Sequence, residues 1–162
     1  MKPRILVAGI GNIFFGDDAF GPAVLARLVC EPIAGVRIED FGIRALHLAY
    51  ELLAGYDAAI IVDAVAYGGA PGTLFVIEPS EPIETTEPDA HRMDLGSVFG
   101  FLRLLGGEPP PITIVGCEPE SIDEGADLSA TVSHAVESAL PLVRRVVNEL
   151  LAKLGEHACT EV

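Results

Sequence analysis

The stretch RILVAGIGNIFFGDDAFGP, Arg4–Pro22, decides the fold. Arg4–Ala8 is a continuous run of branched apolar residues ending in glycine, the pattern of a strand buried on both faces of a parallel sheet. Beyond the glycine-rich turn, Phe20, Val24, Leu25 and Leu28 recur at helical spacing. Pro22 is tolerated only in a first turn, so this helix starts near Asp18–Gly21.

Outward from that unit the same alternation continues. Val36–Asp40 alternates like a strand, Ala45–Ala54 has a helical period closed by Gly55, and Ala58–Asp63 is another buried strand. AYGGAPG is turn chemistry too short for a crossover helix, so strand Thr73–Ile77 is expected to be antiparallel or at an edge. Glu78–Ala90 is rich in Pro, Glu and Thr and reads as a long irregular loop of the kind that often carries function. A helix over Asp94–Leu105, a strand over Ile112–Gly116 and a long helix from Leu128 to about Leu154, kinked or split at Pro141, complete the chain. With no internal repeat and no linker, residues 1–162 are expected to form a single α/β domain. Its core is a doubly wound, mostly parallel twisted sheet of about five strands with helices on both faces.

Half of the residues are apolar, which is enough for a sizeable core without disulfides or structural metal. The net charge of -14 repels nucleic-acid phosphates and anionic lipid headgroups. The N-terminal apolar run is broken by Gly9, Gly11 and Asn12 and has no small-residue cleavage site, so it reads as a strand rather than a signal peptide. No later apolar run is long enough to span a bilayer. Cys30, Cys117 and Cys159 form no CxxC pair and are an odd number, which suits buried thiols in a reducing compartment. A cytoplasmic monomer is expected.

In open α/β sheets, ligands bind beyond the carboxyl ends of the parallel strands. That rim receives Asp17 and Asp18 after the first strand, Asp40 at the end of the second and Asp63 at the end of the third. Asp63, set within IIVDAV, is the most telling, because a carboxylate inside an apolar run is costly to bury unpaired. Asp17 and Asp18 both suit a helix first turn, where acids complement the dipole, although two in a row exceed what capping requires. Among the four histidines, His47 and His134 fall on helices and His157 in the tail, whereas His91 closes the long acidic loop. One imidazole and two carboxylates are a plausible set for a divalent transition ion. A nucleotide site is the rival reading. Asp40 stands near the place of a ribose-binding acid, but Gly9, Gly11 and Gly16 space the fingerprint late and the aspartates would repel pyrophosphate.

In this order, ILVAGIGNIFFGDDAFGP, EDFGIRALHLAYELL, AAIIVDAV, GGAPGTLFVIEP and DAHRMD resemble the hydrogenase maturation proteases. The resemblance implies an α/β endopeptidase that removes a C-terminal extension from the large-subunit precursor of a nickel-iron hydrogenase once nickel is inserted. It implies that Asp18, Asp63 and His91 contact that nickel and carry catalysis, and that the metal arrives with the substrate. Asp40 matches a family acid linked to substrate recognition, and Asp17 and Gly42 are taken with it as substrate-binding. The chain departs from the usual pattern in reading GDDAFG for GDDGVG, DFG for DGG, and Asp89–Ala90 and Arg92 around the histidine. Those changes suggest a distinct subgroup with its own hydrogenase partner and leave the three ligands intact. Carboxylates at a helix mouth invite a cation, because a metal ion inverts the local charge logic. The ion then either polarises the scissile carbonyl and activates water, or docks the substrate while an aspartate acts as base. No Ser-His-Asp order or HExxH helix is present, and neither Cys30 nor Cys117 is taken as a nucleophile. The alternatives are a nucleotide-binding α/β protein and a non-catalytic chaperone that senses metal on its partner.

Overall fold

The computed structural model describes residues 4–79 and 94–160. Strand β1 (Ile5–Ile10) passes through a short 3-10 turn, Gly16–Ala19, into helix α1 (Phe20–Leu28). Then come β2 (Val36–Gly42), α2 (Ala45–Leu52), β3 (Ala58–Ala64), β4 (Leu74–Ile77), α3 (Leu95–Leu105), β5 (Ile112–Cys117) and α4 (Ala130–Thr160). The five strands form one sheet in the order β2-β1-β3-β5-β4. β1 is parallel to β2 and β3, β3 is parallel to β5, and β4 is antiparallel to β5 at the edge. The short turn before β4 cannot carry the chain back across the sheet, so β4 runs the opposite way.

The strands read as unbroken apolar runs because both sheet faces are covered. Val7, Ile60, Val62 and Val115 pack with Phe20, Val24 and Leu25 of α1 and the apolar stripe of α4. Their neighbours in sequence, Leu6, Ala8 and Ile61, pack with Leu48 and Leu52 of α2 and with Val98 and Leu102 of α3. Side chains alternate across a strand, so both sets are buried only when helices lie on both faces. Each fully buried Leu, Ile or Val contributes about 1.5–3 kcal/mol.

The chain leaves β1 toward β2 on one side and returns from β2 to β3 on the other. This reversal opens a crevice beyond the carboxyl ends of β1 and β3. Helix α1 starts directly over these ends. At Gly21 a Cβ would lie 2.3 Å from the Ile10 carbonyl oxygen and 2.5 Å from that of Val62, so only glycine admits the helix there.

β2, β3 and β5 each run one or two residues past the expected ends. α4 starts at Ala130 and is continuous through Pro141, rather than split there. Proline removes one backbone hydrogen bond, but Ala139, Leu140 and Val143 pack on the core on both sides of it. Cys30 is exposed rather than buried, because it lies past the end of α1. No helix among the described residues is long and apolar enough to cross a membrane.

Candidate active site

Asp18 stands in the 3-10 turn that caps the crevice, half-buried. Its Oδ2 accepts the Asn12 N–H at 2.7 Å. Burial raises its carboxyl above the usual range, and the Asn12 bond only partly offsets this. The same bond bears on the rival nucleotide reading. The loop amide that a phosphate would need is already taken by a carboxylate. Gly11 makes the approach possible: its φ is +138°, and a Cβ there would lie 1.9 Å from the Asp18 carbonyl oxygen.

Asp63 lies in β3 opposite Gly116 of β5 and is 6% exposed. Burial holds its carboxyl well above the usual range, the Asp18 charge adds to this, and Asp94 adds further, against a hydrogen bond from the Ala64 N–H. Asp18 and Asp63 are therefore close enough to repel. Among the described residues, no lysine or arginine is among the groups acting on either. An acid pair whose carboxyls are both raised in this way is poised for a cation or for proton exchange.

His91 lies outside the described residues. Among the described residues, no set of three His, Cys, Asp or Glu side chains is arranged to hold a metal ion. Asp94 is a site residue that the sequence reading missed. It caps α3, its Oδ1 accepting the Ser97 N–H at 2.7 Å, and it adds a third negative charge near Asp63. The available signal was an aspartate directly before a helical period, two positions after Arg92.

Asp17 does not face a ligand, contrary to its expected place among the substrate-binding residues. It is fully buried, and its carboxylate accepts the backbone N–H groups of Glu120, Ser121 and Ser129 at 2.9, 3.1 and 2.7 Å, and the Ser129 hydroxyl at 2.9 Å. Burial pushes this carboxyl up, but the Ser129, Ser121 and Glu120 bonds outweigh it and leave it below the usual range. Two adjacent aspartates thus divide the work: Asp17 clasps the loop after β5, and Asp18 faces the crevice. Glu118, also missed in the sequence, is a second buried clasp. It directly follows β5, and it accepts the Tyr67 and Gly69 N–H groups of the turn before β4.

Asp40 is exposed near the end of β2, paired with Gly9, and the strand runs on to Gly42. Its Oδ1 accepts the Gly42 N–H at 2.8 Å, and the Gly42 carbonyl accepts the Gly11 N–H at 3.0 Å. Asp40 and Gly42 line a cleft of about 350 Å³ between residues 11–14 and 40–44. The cleft shares Asn12 with the Asp18 site. His47 and His134 are exposed on α2 and α4, away from any role here. Cys117 is buried at the end of β5, and burial, with Asp17 and Glu118 nearby, pushes its thiol up to about 12. A thiol so hard to ionise is no nucleophile.

Residues 27–146 match the family model described as hydrogenase maturation protease, HycI. The Hydrogenase 2 maturation protease of Escherichia coli (strain K12) is 34% identical over 90% of this chain and 92% of its own length. The hydrogenase expression/formation protein HupD of Rhizobium leguminosarum bv. viciae is 32% identical over 90% of this chain and 74% of its own. Among solved structures, the hydrogenase maturating endopeptidase HybD from E. coli has a TM-score of 0.75 and 34% identity, covering 90% of this chain and 93% of that one. A [NiFe] hydrogenase maturation protease HycI from Thermococcus kodakarensis KOD1 has a TM-score of 0.64 and 27% identity, covering 93% and 94%.

Proposed function

The chain belongs to the hydrogenase maturation protease family and is an endopeptidase, and from that premise we propose that it removes the C-terminal extension of a nickel-iron hydrogenase large-subunit precursor in the cytoplasm after nickel insertion. In this reading Asp18 and Asp63 meet the nickel that the precursor carries, and His91 supplies the third contact. Asp40 and Gly42 meet the polypeptide around the scissile bond. The observation that carries the reading is the pair Asp18 and Asp63. Two carboxylates from separate elements share one crevice, both carboxyls are raised, and among the described residues no lysine or arginine acts on either. A divalent cation suits such a pair.

The nickel supplies positive charge beside the scissile carbonyl. The protein's own part is the handling of protons. A cation entering between the two acids favours their charged forms. Asp63 in its charged form then accepts the proton of the attacking water and returns it to the leaving amine. Cleavage becomes conditional on correct metal insertion, because without the cation burial and the neighbouring acids favour the protonated form of Asp63.

The test is the mass of the precursor before and after incubation, with and without nickel loaded, for the wild type and for Asp18→Ala, Asp63→Ala and His91→Ala. Loss of the extension only from nickel-loaded precursor, and only with the wild type, is expected. Full cleavage by all three variants overturns the assignment, and cleavage of nickel-free precursor overturns the conditional step.

A further inference from the structure

Asp63 has an aromatic wall on the side of the sheet away from Asp40. Asp63 of β3, Gly116 of β5 and Phe75 of β4 are partners in register across three neighbouring strands. Residues opposite one another in a sheet point to the same face. That face is the α2 and α3 side, where Ile61, two residues before Asp63, is buried. Gly116 has no side chain, and the Phe75 ring takes its place. A Cβ at Gly116 would lie 2.3 Å from Phe75 Cε2 and 3.0 Å from Cζ. The ring therefore lies across β5 toward β3, and its edge stands one strand spacing, about 4.8 Å, from β3 at Asp63.

Tyr67 extends this wall. Its ring centroid lies 5.1 Å from that of Phe75 with the planes tilted by 34°, and the residue is 67% exposed. The turn that carries it is pinned to the sheet. The buried Glu118 carboxylate accepts the Tyr67 N–H at 2.7 Å and the Gly69 N–H at 3.3 Å. The Gly72 N–H donates to the Glu118 carbonyl at 2.8 Å, and the Glu118 N–H donates to the Thr73 carbonyl at 2.9 Å. A firmly held, mostly exposed aromatic beside a reacting carboxyl marks a contact surface.

Charge selects the occupant. In the proteolytic reading a nickel ion stands against Asp18 and Asp63, so a Lys or Arg side chain at the adjoining wall is repelled. An acidic side chain meets Asp94, whose charge already acts on Asp63, and a chain of net charge -14. A short polar side chain gains little from aromatic faces. An uncharged apolar side chain gains by leaving water against them.

We propose that Phe75 and Tyr67 are specificity-determining residues, forming a wall that receives the apolar side chain of a precursor residue flanking the scissile bond. The inference rests on the proteolytic reading above. It adds a contact on β4 and the turn before it, across Asp63 from the β2 edge.

The experiment uses the full chain and nickel-loaded precursor. The masses of the two products locate the scissile bond, and each flanking residue of the precursor is then replaced in turn by Leu, Ser or Lys. Steady-state cleavage gives kcat/KM for each precursor with wild type, Tyr67→Ser, Phe75→Ala and Phe75→Leu. At one of the two positions wild type is expected to favour Leu over both Ser and Lys by about tenfold or more, the effect of burying one apolar side chain. Tyr67→Ser and Phe75→Ala should each bring the Leu-to-Ser ratio toward one, and Phe75→Leu, which keeps the apolar bulk, should retain most of it. Partial unfolding lowers cleavage of every precursor alike and leaves this ratio unmoved. The melting temperature of Tyr67→Ser, an exposed position, should match wild type. No preference for Leu at either position, a preference for Lys, or a ratio unchanged in both Tyr67→Ser and Phe75→Ala overturns the proposal, while cleavage itself leaves the protease reading intact. A concentration-dependent dimer abolished by Tyr67→Ser, with the ratio unchanged, would show that a second copy covers the wall and likewise overturns it. Absence of any cleavage by wild type overturns the protease reading and this inference with it.

Discussion

Asp63→Asn is expected to stabilise the free protein at neutral pH while abolishing cleavage. The side chain is 6% exposed, and burial, Asp18 and Asp94 all act to raise its carboxyl in the folded state. A carboxyl whose folded value lies above its unfolded value of about 3.9 binds its proton more tightly when folded. Stability therefore falls as pH rises from that unfolded value to the folded one, and the penalty is complete above it. Asparagine has nothing to ionise, and its Oδ1 can still accept the Ala64 N–H. Relieving a buried, poorly compensated group is worth about 1–3 kcal/mol. For a chain of this size each kcal/mol moves the melting temperature by about 2–4 °C, so the gain is about 2–12 °C. Scanning calorimetry of wild type and Asp63→Asn between about pH 4 and pH 8, with a chelator present, reads this directly. The two melting temperatures should nearly coincide at the acid end and separate as pH rises. A lower melting temperature for Asp63→Asn at pH 7, or a difference that does not change with pH, would refute the electrostatic reasoning.

Asp17→Ala leaves three buried N–H groups and a hydroxyl without their acceptor, and a loss of about 3–5 kcal/mol in urea unfolding is expected, as for a broken buried charged contact. Because the Asp17 carboxyl lies below the usual range, its contribution is present above that range and is lost only as pH falls through the folded value, so wild type and variant should converge only in strong acid. Gly11→Ala forces a Cβ against the Asp18 carbonyl at a φ of +138°. Precursor cleavage should fall, and stability should fall by about 1–3 kcal/mol; full activity would show that the loop tolerates another path. Under native conditions at pH 8, iodoacetamide should label exposed Cys30 and spare Cys117, whose thiol is buried and pushed up to about 12. Peptide mass mapping that finds Cys117 modified before unfolding would contradict its burial.

The elements were legible wherever the physics is local. Ile5–Ala8 and Ile60–Val62 read as buried strands because an unbroken branched run fits only a strand covered on both sides. Gly55 and the GGEPPP segment mark helix ends through backbone chemistry that needs no tertiary context. The crossing of Pro141 by a continuous helix was not legible, because the packing of Ala139 and Val143 against α1 and the sheet is non-local. The acids divided along the same line. Asp18, Asp40 and Asp63 were placed at one rim by the strand-end rule alone. Adjacent in sequence and alike in chemistry, Asp17 and Asp18 could not be told apart until the loop after β5 delivered three N–H groups to one of them. Glu118 and Asp94 passed unnoticed because an acid beside a turn or a helix start is common, and only its neighbours in space give it weight.

The chain's own pattern of apolar runs, turns and strand-end acids determined an α/β sheet with a carboxylate-lined rim, and its ordered motifs determined the family. Tertiary structure decided which acid is a clasp and which faces the crevice, that burial and two neighbouring acids raise the Asp63 carboxyl, and that Phe14 and Ile43 flank one cleft. The reason is that hydrophobic periodicity and turn preference act between residues close in sequence. Desolvation, charge repulsion and shared hydrogen bonds instead depend on distances that exist only after β1, β3 and β5 have come together.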